Sequence, residues 1–223
     1  MFNLVLKDFK IIKRIMIFGC IYGFILAFMG AKSIKEGNLN QGFAVFYTLF
    51  MTYFSILYAN SYDEKNKANF FLRSLPIPKG DIVISKYLAI AVYTVFYYVI
   101  FAAAALISNA VLSVNSTAYD IKIFIIILII NLLVFGIQYP FYFKYGSKFL
   151  HIFRIIGFLL IFILPNAINK IIKSVDKENL IGILNWINEN QQIFTLILTL
   201  MAAVIILVTM LLSIRIYSNK DLV

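Results

Sequence analysis

The sequence predicts an all-helical integral membrane protein with six transmembrane helices. Apolar residues make up 62% of the 223 residues and charged residues only 13%, whereas soluble domains contain roughly 45–50% and about 25%. The apolar residues also form runs of 17 to 26 residues, long enough to cross a bilayer. They predict one transmembrane domain over residues 1–223, with spans at Ile15–Ala31, Gly42–Asn60, Tyr87–Leu112, Ile121–Tyr139, Ile155–Ile172 and Ile193–Ile214.

The distribution of basic residues predicts the orientation of this bundle. The formal net charge is +10, and the basic residues flank the apolar runs instead of forming one stripe, so nucleic acid is not an expected partner. A cytoplasmic N-terminus places 14 Lys and Arg residues inside and 6 outside, with net charges of +9 and +1. By the positive-inside rule, both termini and residues 61–86 are therefore expected in the cytoplasm.

The first 14 residues predict a short amphipathic helix that lies on the membrane surface. Apolar and charged side chains alternate there at roughly helical spacing, and the lysines would face anionic lipid headgroups. A basic flank that only fixes the topology is the alternative. The residues concerned are Leu4, Val5, Phe9, Ile11 and Ile12 on the apolar side, and Lys7, Asp8, Lys10, Lys13 and Arg14 on the charged side.

The loop after the second span carries the most informative pattern. Asp63 is a candidate N-cap for a short helix that begins with Glu64 and Lys65 and ends in an aromatic and aliphatic cluster. Two prolines then end that helix, and Asp81 is expected to cap the third span. An exposed apolar cluster suggests a docking surface for another protein, although a helix lying flat on the membrane fits equally well. The cluster is Phe70, Phe71 and Leu72, and the prolines are Pro76 and Pro78.

Small and polar residues inside the spans suggest packing or pathway roles. Gly19 and Gly23 form a small-xxx-small pair that could face a second copy of the chain or another helix of the same chain. Asn131 and Gln138 are polar at membrane depth, where a partner across the bundle competes with a role in lining a pathway. Because the chain shows no catalytic, nucleotide-binding or metal-ligand motif, we expect neither an enzyme nor a bound cofactor or metal.

The combination of an N-terminal elbow (Lys7–Lys10), six spans and the stretch Leu72–Leu88 (LRSLPIPKGDIVISKYL) resembles the ABC-2-type transporter permeases. The similarity covers essentially the whole chain and is closest to the compact bacterial branch that includes bacitracin-resistance permeases and exporters of phenol-soluble modulin peptides. The resemblance implies that Asp63–Leu72 forms a coupling helix for a separate ATPase subunit, which would bind ATP and Mg. It also implies short outer helices at residues 166–190.

The resemblance further implies a half-transporter in a bacterial cell membrane. Two permease copies or paralogues would pair, and an amphipathic peptide or hydrophobic cargo would leave between them. The abundance of aromatic residues, 17%, suits such a cargo but also suits any lipid-facing surface. The alternative is the six-span substrate-binding component of an energy-coupling-factor importer, which normally lacks an elbow helix and an ATPase-docking loop.

Overall fold

The computed structural model describes residues 2–33, 39–74, 77–113, 121–146 and 191–219, and the regular structure in these segments is α-helical. Five of the helices are long and apolar enough to cross a membrane, which confirms the predicted class. The predicted fifth span, Ile155–Ile172, and the outer helices at residues 166–190 lie outside the described residues. The helices are α1 Phe2–Ile11, α2 Lys13–Ser33, α3 Leu39–Lys65, α4 Ala68–Ser74, α5 Lys79–Leu112, α6 Ile121–Tyr145 and α7 Gln191–Asn219; the five long ones are α2, α3, α5, α6 and α7.

Four of the long helices continue well beyond the predicted spans at one end of the bundle, among them α7, which runs on to Asn219. α3 runs on to Lys65, α5 begins at Lys79 and α6 runs on to Tyr145. The 34 residues of α5 give a length of about 51 Å, well beyond the roughly 30 Å of a bilayer's hydrocarbon core. The extra turns carry charged side chains, and Lys86 of α5 pairs with Asp63 of α3 there. The helices therefore continue past the ends of the apolar runs.

α5 forms the centre of the bundle and packs against α1, α2, α3, α6 and α7. Its buried face contributes large aromatic side chains to the core, where α3 provides Tyr47 and Met51. Many large apolar side chains on the outer faces are exposed, above all on α7. Exposed apolar surface of this extent fits a protein whose surroundings are lipid. The aromatic residues from α5 are Tyr87, Tyr93, Tyr97 and Phe101.

One end of the bundle, which we call the α1 end, gathers α1, α4 and the adjoining termini of the long helices. The Lys79 ammonium donates to the Ser218 carbonyl at 2.9 Å and so joins the start of α5 to the end of α7. Of the basic residues that the structure describes, eleven belong to the segments at this end: Lys7, Lys10, Lys13, Arg14, Lys65, Lys67, Arg73, Lys79, Lys86, Lys144 and Arg215. The other two, Lys32 and Lys122, lie at the opposite end of α2 and the start of α6.

The two glycines of α2 pack inside the chain. The Tyr47 hydroxyl donates to the Gly19 carbonyl at 2.9 Å. A Cβ atom added at Gly19 would lie 2.7 Å from the Tyr97 ring, and one at Gly23 would lie 2.9 Å from the Tyr47 ring. The absence of side chains therefore lets α3 and α5 approach α2 closely. Both glycines therefore pack against helices of the same chain, which is the intrachain alternative of the sequence analysis.

Candidate functional site

A buried ion cluster at the α1 end joins three separate helices. The Lys86 ammonium of α5 lies 2.8 Å from a carboxylate oxygen of Asp8 in α1 and 2.6 Å from one of Asp63 in α3. Lys7 completes the cluster, at 3.2 Å from Asp8 and 2.8 Å from Asp63. Asp8, Asp63 and Lys86 are almost completely buried, whereas the Lys7 side chain keeps 32% of its surface exposed.

The four charges of this cluster balance, which explains how they tolerate burial. Two ammonium groups face two carboxylates, and each carboxylate contacts both lysines. A buried charge without a partner would be strongly unfavourable, so the two carboxylates depend above all on the buried Lys86. The cluster consequently fixes α1 against the end of α3 and the start of α5.

α4 follows this cluster after a tight two-residue turn. Lys67 adopts a left-handed conformation with φ 51°, and its amide donates to the Glu64 carbonyl at 3.0 Å. The Tyr62 carbonyl accepts from both the side chain and the backbone amide of Asn66, at 2.9 and 3.1 Å, at the end of α3. The turn holds α4 directly beside the helix end that carries Asp63.

The boundaries of this segment differ from the sequence prediction. Asp63 is not the N-cap of a short helix. It lies inside α3, as do Glu64 and Lys65, and its carboxylate is bound by Lys7 and Lys86. The Asp81 N-cap prediction is also wrong. α5 begins at Lys79, and its N-cap position is Pro78, whose carbonyl accepts from the Asp81 amide at 2.9 Å.

α4 divides its apolar side chains between the protein core and the surroundings. Leu72 is 5% exposed and belongs to the core cluster, whereas Phe71 is 66% exposed. Phe70 lies in the same helix. The exposed Lys65, Lys67 and Lys79 lie on the segments that flank α4. The helix is therefore anchored through Leu72 and exposes an aromatic side chain between two segments that carry exposed lysines.

The two polar residues considered for a pathway lie inside the bundle. Asn131 is buried, and its side-chain nitrogen donates to the Thr94 hydroxyl at 3.1 Å, which supports the expectation of a partner across the bundle. Gln138 is also buried, 7% exposed, on the same helix. Neither side chain faces open space in the single chain, so neither supports a pathway role.

Comparison with known families matches residues 3–218 to the family described as "ABC-2 family transporter protein". The match covers nearly all of α1, the ion cluster, α4 and the long helices up to residue 218 of α7. No match was found among curated proteins or among solved structures.

Proposed function

Because the chain belongs to the ABC-2 transporter family, we propose that this permease serves an ATP-driven exporter and that α4 docks on a separate ATPase subunit. The observation that carries the docking proposal is the exposed Phe71 next to the buried Leu72. A helix fixed to the bundle through one apolar residue while exposing another can transmit force from a bound partner. Family membership favours this reading over the importer component, which would recruit a larger scaffold protein.

The chemistry of α4 indicates what the ATPase surface should look like. Burying a phenylalanine at an interface removes about 150–250 Å² from water, enough for a hot spot worth about 2 kcal/mol or more. Exposed lysines flank the helix at positions 65, 67 and 79. We therefore expect an apolar pocket with an acidic rim, whose charges steer the approach of the subunits more than they tighten the complex.

The ion cluster gives the docking helix a route to the rest of the permease. α4 is separated from α3 by two residues, and Asp63 near the end of α3 is bound to Lys86 of α5 and Lys7 of α1. Movement of α4 would therefore reach the central helix and the N-terminal helix together. This arrangement supports a cytoplasmic location for the α1 end, as does the concentration of basic residues there.

The transported cargo and the partner permease are further parts of the proposal. The middle of the described spans carries no Asp, Glu, Lys or Arg for coupling to an ion gradient, which agrees with an external ATPase as the energy source. We propose amphipathic or hydrophobic cargo, such as membrane-active peptides, leaving between two permease subunits. The paired surface would have to be one other than the filled Gly19–Gly23 face.

Co-purification of the ATPase with α4 variants tests the docking proposal. Phe71→Ala should lose most of the Mg-ATPase activity that accompanies the wild-type permease from its native membrane, because the aromatic contact is removed. Phe71→Leu is the matched control and should retain most of it, since apolar area is largely kept. Both variants should unfold at the wild-type temperature. Full retention of ATPase activity by Phe71→Ala would show that α4 does not dock at Phe71.

A further inference from the structure

Buried side chains on α3 and α5 carry polar atoms that no protein group satisfies among the residues that the structure describes. They are the Oγ1 atoms of Thr48 and Thr52, both side-chain polar atoms of Asn60 and the hydroxyl of Tyr93. All four residues are at most 1% exposed. Buried polar groups in proteins almost always have a hydrogen-bond partner, and the requirement is stricter inside a membrane.

The two threonines differ from other hydroxyl residues in the same bundle. The Thr94 hydroxyl donates to the Ile90 carbonyl at 2.8 Å, and Ser108 donates to Ala104 at 2.8 Å. This bond to the preceding helical turn is the usual way for a helix to satisfy a threonine. Thr48 and Thr52 make no such bond. Their hydroxyls therefore need a partner from outside their own helix.

Two polar contacts define where these atoms lie. Asp63 binds Lys86 at the α1 end, and the Ser55 and Tyr97 hydroxyls are 2.6 Å apart deeper in the bundle. Tyr93 lies between Lys86 and Tyr97 on the same face of α5, since its offsets of seven and four residues are close to whole helical turns.

Two of the α3 residues share the face of α3 that carries Ser55. Thr52 and Thr48 continue the stripe of Ser55 at intervals of three and four residues, away from the α1 end. Asn60 lies one turn before Asp63, on the adjoining face of α3. The Tyr93 ring contacts the Phe9 ring of α1, with 6.3 Å between the ring centroids. The unsatisfied atoms therefore extend from the level of the ion cluster towards the middle of the bundle.

We propose that ordered water molecules occupy this α3–α5 interface and bind Asn60, Tyr93, Thr52 and Thr48. Water is the ligand that fits, because the site offers both donors and acceptors without a net charge. Asn60 alone supplies a donor and an acceptor, and a buried water typically needs two to four such groups. These waters would hydrate the bundle interior next to the Lys86 ion cluster, independently of any ATPase or cargo.

Radiolytic hydroxyl labelling of the full chain in lipid nanodiscs tests this proposal. Brief X-ray pulses generate hydroxyl radicals from bound water, so a buried side chain is oxidised only where water lies beside it. Tyr93 should be labelled several-fold more than Tyr47, which is equally buried but donates its hydroxyl to Gly19. Equal and low labelling of the two tyrosines would overturn the proposal. This is also the result expected if protein side chains fill the interface.

A stability measurement provides a second and independent readout. Thr52→Val removes the hydroxyl and keeps the shape of the side chain. In a hydrated interface the variant should melt at or below the wild-type temperature, because water loses a partner. In a dry interface it should melt higher, because an unsatisfied polar group has been removed. A raised melting temperature for Thr52→Val would therefore contradict bound water at this position.

Discussion

Replacing Lys86 with methionine is expected to destabilise the permease more than any other single removal of a charge. The substitution keeps the length of the side chain but leaves Asp8 and Asp63 buried with only Lys7 to balance them. In the folded protein the Lys86 ammonium lies 2.8 Å from Asp8 and 2.6 Å from Asp63. Both carboxylates are almost completely buried and cannot turn to water without moving a helix.

The size of the effect follows from the burial of the pair. Removing one partner of a buried ion pair typically costs about 3–5 kcal/mol. Folded domains are stable by only about 5–15 kcal/mol, so the loss is a large share of the total. Lys7→Met is the matched control. Lys7 is partly exposed, and both carboxylates keep Lys86, so we expect a cost of about 1 kcal/mol or less.

Thermal unfolding of the purified variants measures the difference. With about 2–4 °C for each kcal/mol in a chain of this size, Lys86→Met should melt on the order of 10 °C below wild type. The triple variant Lys86→Met, Asp8→Leu and Asp63→Leu should recover much of that loss, because apolar side chains can replace a buried ion cluster. Similar melting temperatures for Lys86→Met and Lys7→Met would refute the role assigned to the cluster.

Two further predictions concern packing and orientation. Gly19→Ala should lower the free energy of unfolding by about 1–3 kcal/mol, because the added Cβ would lie 2.7 Å from the Tyr97 ring. Gly42→Ala is the control, since no atom lies within 4 Å of its added Cβ. Equal unfolding behaviour of the two variants would contradict this packing. A cysteine at Asn66 in a Cys20→Ser background should react with a membrane-impermeant reagent only after the cells are opened, since the α1 end is expected in the cytoplasm; labelling of intact cells would reverse the orientation.

The helical class and most of the spans could be predicted from the sequence because apolar runs in lipid leave little choice of structure. The predicted and observed limits of the third span agree at Leu112, where the apolar run also ends. The limits at the α1 end could not be predicted in this way. Helices there continue through charged residues, and their continuation depends on pairing between segments far apart in the sequence.

The ion cluster shows why part of the site was missed. Asp8 looked like a polar member of an amphipathic helix, Asp63 like a helix cap, and Lys86 like a flanking charge that sets topology. Each interpretation is reasonable for an isolated segment, but the three side chains meet across sequence separations of 23 and 78 residues. One signal was available: apart from Ser85, the neighbours of Lys86 from Ile82 to Ile90 are apolar, and an unpaired charge among them would be costly.

Site-specific photo-crosslinking at position 71 tests the coupling role of α4 most directly. A photoreactive amino acid in place of Phe71 should capture a subunit that mass spectrometry identifies as a nucleotide-binding ATPase, in membranes that contain the assembled transporter. The same amino acid in place of Phe28, which lies near the end of α2 that is farther from the α1 end, should capture lipid and no ATPase. Capture of lipid alone at position 71 would show that α4 lies on the membrane, and the docking proposal would be wrong.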